Sequence, residues 1–226
     1  IRPRWRKVIH DLFDNKGRTA LVVLSIAVGV FSIGVIAGAY QIISNDMSAS
    51  FAANAPANIE LRMVDFDETT LESVRNHSGI KDAEGRRVFS IRARVKGTSR
   101  WTVLELVAFD DFEGNKVNLL TPINGKSVPG KREVVFETDA MNHVNSQIGD
   151  ILEFQLPDGS IKSMPLVGVV KDVAMGAGDF LASPYAFINQ STLGYLQESQ
   201  DYNRVYATVN ERGDDIEYIR ALGAKL

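Results

Sequence analysis

Gly125-Lys126-Ser127 has the ending of a phosphate-binding loop, in which backbone N–H groups cradle phosphates and a lysine reaches the outer ones. That loop needs a glycine five positions before Gly125; the residue there is Leu120, and Pro122 lies between. Gly176-Ala177-Gly178 follows the apolar run Leu166–Val170, as a dinucleotide turn would. Its third glycine would fall at 181, which is Leu181, and no helix opens there. The histidines are His10, His77 and His143, and no two stand at a metal-ligand spacing. The chain has no cysteine, which excludes disulfides, thiolate catalysis and zinc–cysteine sites. It lacks a nucleophile elbow, although a triad assembled from distant residues leaves no local trace. Asp110-Asp111-Phe112-Glu113-Gly114-Asn115 is acidic enough to attract calcium but lacks the spacing of an EF-hand loop, so it reads as solvated loop acids. Asn76-His77-Ser78 and Asn189-Gln190-Ser191 have the form of glycosylation sequons. No catalytic, cofactor-binding or metal residue is assigned, and the chain is expected not to be an enzyme.

What the sequence does specify is a place. The 25 basic and 28 acidic residues nearly cancel, which gives no global field for nucleic acid. Their distribution is uneven. Arg2, Arg4, Arg6, Lys7, Lys16 and Arg18 crowd the first 18 residues against Asp11 and Asp14. The next charge is Asp46, so Thr19 to Asn45 carries none. Ala20 to Ile43 is rich in Leu, Val, Ile, Ala and Gly, and about 20 such residues span a hydrocarbon core of roughly 30 Å. Residues 18–45 are therefore expected to be a transmembrane helix. A signal peptide is the rival, with Ala53-Asn54-Ala55 resembling a cleavage site, but its apolar region is ordinarily only about 7–15 residues. The basic flank puts the N-terminus in the cytoplasm and residues after about 46 in the periplasm or outside the cell. The lipid bilayer is thus an expected partner.

Before the span, Trp5, Val8, Ile9, Leu12 and Phe13 fall at i, i+3, i+4, i+7 and i+8, one apolar face of a helix over residues 1–17. A short basic amphipathic helix with a Trp lies in the membrane interface. Asn15, Lys16 and Arg18 stand at its bend into the span: the two cations suit lipid phosphates, and Asn15 suits a cap or turn. Within the span Ser25, Gly29, Gly34 and Gly38 are small, and Gly34 to Gly38 is a G-x-x-x-G, which lets another helix pack closely.

These opening residues resemble a known family. Asp11-Leu12-Phe13-Asp14-Asn15-Lys16-Gly17-Arg18-Thr19-Ala20-Leu21, then Leu24-Ser25-Ile26-Ala27-Val28-Gly29-Val30, looks like the start of MacB/FtsX-like ABC transporter permeases. Ser25 stands where the family has the first glycine of its span motif. The resemblance implies a permease of a bacterial inner or plasma membrane, working with a cytoplasmic ABC ATPase subunit and with a second permease copy or paralogue. It implies that ATP-driven closure moves the extracytoplasmic domain. It also implies three further spans after that domain, so the chain, which stops at Leu226, is expected to be a fragment. A single-pass membrane-anchored sensor or enzyme ectodomain is the alternative. The transported molecule is not legible.

The rest of the chain reads as an α+β fold. Residues 46–57 form a stalk and linker. Asn58 to Val64 is an expected strand, and Asp67 caps a helix to about His77 that buries Leu71 and Val74. Val88 to Lys96 and Trp101 to Phe109 alternate as a hairpin. Asp110 to Gly130 reads as loop. Then come a strand at Glu133–Phe136, a short helix at Thr138–Val144 and strands at Asp150–Leu156 and Ile161–Asp172 around Pro157-Asp158-Gly159-Ser160. Met175 to Pro184 is glycine-rich. Tyr185–Asn189 and Tyr202–Asn210 are expected strands, Ser191–Leu196 a helical turn, and Asp214–Leu222 a final helix with Ile216, Ile219 and Leu222 on one face. This groups 58–112 with 185–226 as a βα lobe and makes 113–184 an inserted β-rich lobe. The resemblance implies the same arrangement of two βα-type portions and a β-rich insertion.

Overall fold

The computed structural model describes residues 16–110, 112–172 and 183–226. The chain divides between Ala49 and Ser50 into two compact units. The first holds most of α1, which runs Lys16–Ala53 without a break. Its 38 residues rise about 57 Å at 1.5 Å each, longer than a bilayer core.

In the second unit β1 (Ile59–Phe66) leads to α2 (Glu68–Arg75) and β2 (Ile80–Val95). Asp67 caps α2: its carboxylate accepts from Thr70 N–H at 3.0 Å and from Thr70 Oγ1 at 3.1 Å, a bond of the kind that contributes about 1 kcal/mol. Leu71 and Val74 are the buried residues of α2. β3 (Thr102–Phe109) returns beside β2, and β4 (Leu120–Gly125) follows. Next come β5 (Val134–Glu137), α3 (Thr138–Val144), β6 (Ile151–Gln155) and β7 (Ile161–Asp172). β8 (Tyr185–Asn189), a 3₁₀ turn at Gln190–Leu196, β9 (Tyr202–Val209) and α4 (Ile216–Gly223) complete the order.

The strand pairings close a ring. β2 pairs with β3, β3 with β8, β8 with β5, β5 with β7, β7 with β6, and β6 back with β2. Closure removes sheet edges, and alternate residues of each strand turn inward. Leu104 and Leu106 of β3, Phe136 of β5, Leu152 and Phe154 of β6, Met164 and Leu166 of β7 and Ile188 of β8 form one fully buried cluster, to which α3 adds Ala140. The stretches expected as separate lobes share this ring. β2, β3 and β8 come from 58–112 and 185–226; β5, β6 and β7 come from 113–184.

β2 is long enough to serve two assemblies. Ile80 to Arg86 pairs with β9, whose other edge takes β1. Both pairings are antiparallel, so β1 and β2 run parallel with β9 between them and α2 as the crossover, a split β-α-β. Ile59, Phe66, Leu71, Val74, Ile80, Ala83, Val205, Ala207, Val209 and Leu222 form its own core.

Three expectations need correction. β2 begins at Ile80 rather than Val88, because pairing with β9 holds Lys81, Asp82, Glu84 and Arg86 in a strand despite their charge. Leu120–Gly125, expected as loop, is a strand on β7; it tolerates Pro122 because it lies at the sheet edge. In α4, Leu222 is buried and Ile219 packs partly against the core, whereas Ile216 is 68% exposed and lies off that face. Most of the glycine-rich Met175–Pro184 segment falls outside the described residues.

Candidate functional site

Among the described residues one helix is long and apolar enough to cross a membrane, over Lys16–Ile42. Its large apolar side chains from Leu21 to Ile42 are between 51% and 74% exposed. A contiguous apolar surface of that extent calls for lipid or another helix as its cover. Ser25 Oγ donates to the Leu21 carbonyl at 2.9 Å, which satisfies the hydroxyl within the helix. Gly29, Gly34 and Gly38 face open space, since a Cβ at any of them would meet nothing within 4 Å. Lys16 and Arg18 sit in the first turn, where the helix dipole disfavours cations. Their placement suits an external anionic layer better than it suits the helix itself. Trp5, Val8, Ile9, Leu12, Phe13 and Asn15 lie outside the described residues.

The residues just after α1 are tied down by a cluster that sequence reading missed. The Asn54 carbonyl accepts from Leu119 N–H at 2.8 Å, and the Ala55 carbonyl from Asn118 N–H at 2.9 Å. Asn118 Oδ1 accepts from Ala57 N–H at 2.7 Å, and Thr121 Oγ1 donates to Asn54 Oδ1 at 3.2 Å. Asn118 has φ of 51° and is 2% exposed. Asparagine tolerates that left-handed backbone better than most residues.

The loop bearing Asn118 is fixed in turn by β2. Glu84 Oε1 accepts from the N–H groups of Lys116 at 2.5 Å and Val117 at 3.2 Å. Arg86, fully buried, donates from Nη2 to the Val117 carbonyl at 2.7 Å and lies 3.4 Å from Glu84 Oε2. Its guanidinium lies over the rings of Phe109 at 4.5 Å and Tyr206 at 5.0 Å. Burial pushes the Tyr206 hydroxyl up to about 12, so the ring stays neutral beside the cation. Arg86 Nε and Nη1 find no hydrogen-bond acceptor among the described residues, and the aromatic faces offset part of that cost. Glu84 and Arg86, two apart, share one face of a strand. That spacing was the available signal, hidden because the charged run reads as pre-strand loop.

Residues considered for chemistry have structural partners. Lys126 Nζ bonds both carboxylate oxygens of Glu133, at 2.8 and 3.0 Å. Asn189 Oδ1 accepts from Ser191 N–H at 2.9 Å and caps the 3₁₀ turn. Among the described residues no group of three or more His, Asp or Glu is placed to hold a metal ion.

The model of the MacB-like periplasmic core domain family matches residues 19–223, nearly the whole chain. The chain belongs to this family. Membership makes it a domain of the MacB/FtsX-like ABC transporter permease type. Among solved structures, the extracellular domain of the noncanonic ABC-type transporter YknZ from Gram-positive bacteria is 16% identical, covering 74% of this chain and 92% of its own, with a TM-score of 0.49. The periplasmic region of MacB from Actinobacillus actinomycetemcomitans is 14% identical over 72% of each chain, with a TM-score of 0.46. No curated protein matches the chain. Within the MacB-like periplasmic core domain family the match begins at Thr19, inside α1, so the apolar helix belongs to it together with the ring and the split β-α-β.

Proposed function

We propose that this chain provides a membrane span and the extracytoplasmic domain of an ABC transporter permease subunit, through which ATP hydrolysis by a separate cytoplasmic ATPase drives extracytoplasmic motion or export. The observation that carries the reading is the family match over residues 19–223, which includes the apolar helix. The basic N-terminal flank supports a cytoplasmic N-terminus and an extracytoplasmic position for residues after about 46 in a bacterial inner or plasma membrane. A second permease copy or paralogue supplies the other half, and Ser25, Gly29, Gly34 and Gly38 offer the small-residue face for helix packing. The face Trp5, Val8, Ile9, Leu12 and Phe13, with Asn15, Lys16 and Arg18 at the bend, couples the ATPase to the span. The division into a βα lobe (58–112 with 185–226) and an inserted β-rich lobe (113–184) belongs to the same proposal, with β2 of the first pairing β6 of the second.

The test uses the intact transporter with its ATPase. A simple lipid anchor needs apolar area and positive charge; a coupling element needs a defined contact face, and a carboxylate there is costly to bury. Leu12→Met and Leu12→Glu are compared for assembly, ATP turnover and the ATP-dependent labelling rate of a single cysteine placed at Thr98, in the exposed β2–β3 turn. Leu12→Met keeps all three. Leu12→Glu keeps assembly and ATP turnover and loses the ATP-dependent change in labelling. An unchanged response in Leu12→Glu makes the segment an anchor only. If the parent protein neither assembles with an ATPase nor responds to ATP, the anchored-ectodomain reading replaces the permease.

A further inference from the structure

Three cations line one cavity beside the ring, none of them in a direct ion pair among the described residues. Lys131 and Arg132 precede β5, and Lys162 is the second residue of β7. With Ser191, Tyr195 and Gln197 they line a cavity of about 410 Å³. The Arg132 guanidinium carbon lies 4.5 Å from the centre of the Tyr195 ring, and Lys162 Nζ lies 5.1 Å from it. The ring is itself anchored: Tyr195 Oη donates to the Ser163 carbonyl at 3.3 Å. Arg132 is anchored too. Its backbone has φ of 60°, and its N–H donates to Oγ1 of the fully buried Thr192 at 3.0 Å.

Carboxylates nearby in sequence are engaged elsewhere. Glu133 bonds Lys126 and the Gly130 N–H, and Glu198 bonds Arg87. Asp158, in the β6–β7 turn, feels the charge of Lys162 and accepts from Ser160 N–H at 2.8 Å. Among the described residues no carboxylate oxygen lies within 4.0 Å of the Lys131, Arg132 or Lys162 nitrogens. Like charges lining one cavity repel, and an anion bound in it converts the repulsion into attraction. Stacking on one aromatic ring has already removed much of the side-chain freedom that binding would otherwise have to restrict. Arginine and lysine are the side chains that recognise planar or tetrahedral oxyanions.

We propose that this cavity is a binding site for a small oxyanion, phosphate- or carboxylate-bearing, gripped by Arg132 and Lys162 with Lys131 beside them. The site does not depend on the coupling role of the N-terminal segment. Its test is calorimetric titration of the 226-residue chain in uncharged detergent, with inorganic phosphate in one arm and citrate in the other. At least one anion binds with a Kd below about 1 mM. Arg132→Gln and Lys162→Gln each weaken binding by about tenfold or more. Arg132→Lys, which keeps the charge, retains most of the affinity, and Arg100→Gln, an exposed cation in the β2–β3 turn, changes nothing. Phosphate alone identifies a phosphoryl ligand, citrate alone a carboxylate, and both a general oxyanion site. Failure of both anions to bind overturns the proposal. So do wild-type affinities in Arg132→Gln and Lys162→Gln, an equal loss in Arg100→Gln, or an affinity loss accompanied by a collapsed melting curve.

Discussion

Glu137 ends β5 and caps α3, accepting from Asp139 N–H at 2.6 Å while only 7% exposed. Burial holds its carboxyl above the ordinary value of 4.5, and the charges of Asp139 and Asp172 push the same way. A raised carboxyl favours the protonated form in the fold. The unfavourable term is therefore absent below about pH 4.5, where the unfolded group is also protonated, and develops as pH rises through the folded value. Glu137→Gln keeps an oxygen to accept from Asp139 and cannot ionise. It is expected to melt higher than the parent near neutral pH, each kcal/mol showing as about 2–4 °C, with the gap closing below about pH 4.5. Melting curves of both proteins across that range decide it; a variant less stable at neutral pH shows that the charged carboxylate is needed as the cap. None of this was legible beforehand. A glutamate after an apolar strand reads as a surface residue, and its burial arises because α3 folds back onto the ring. Arg86 was hidden for the same reason, since its cover comes from Phe109 and Tyr206, distant in sequence.

Local chemistry announced most elements. The cap at Asp67, the turn Pro157-Asp158-Gly159-Ser160 and the alternation of Ile161–Asp172 all marked their structures, because each signal lies within a few residues of what it causes. Pairing partners did not announce themselves: β4 exists because β7 receives it, and the first half of β2 because β9 does. The contact between β4 and β7 is close enough to test. A Cβ at Gly168 would drive into the Lys126 carbonyl oxygen, a backbone atom that cannot swing away. Gly168→Ala is expected to cost about 1–3 kcal/mol and to expose the Lys126 amide, which donates to the Val167 carbonyl at 2.9 Å, to faster hydrogen exchange. Gly223→Ala, at the end of α4, would place its Cβ 3.6 Å from Ile59, an ordinary contact, and should be neutral or mildly stabilising. Equal melting temperatures for Gly168→Ala and the parent would mean that β4 moves aside at little cost.

At the scale of the whole molecule, the arrangement across the membrane rests on charge. Six Lys or Arg precede the apolar run against two Asp, and the first charge after it is Asp46. Cytoplasmic loops retain Lys and Arg, and acids count for little in that rule, so the excess puts the N-terminus inside. The absence of cysteine from these 226 residues makes the prediction clean, because each introduced thiol is the one target among them. Asn15→Cys and Ser50→Cys flank the apolar stretch of α1. In intact cells a membrane-impermeant maleimide should label Ser50→Cys at once and Asn15→Cys only after permeabilisation. Labelling of Asn15→Cys from outside would reverse the orientation and put the domain in the cytoplasm, where it could not serve as an extracytoplasmic part. Cleavage behind Ala53-Asn54-Ala55 gives a different result: both introduced cysteines vanish from the mature protein, which then washes off the membrane. Retention of both thiols in the membrane fraction, on opposite sides, separates a span from a leader.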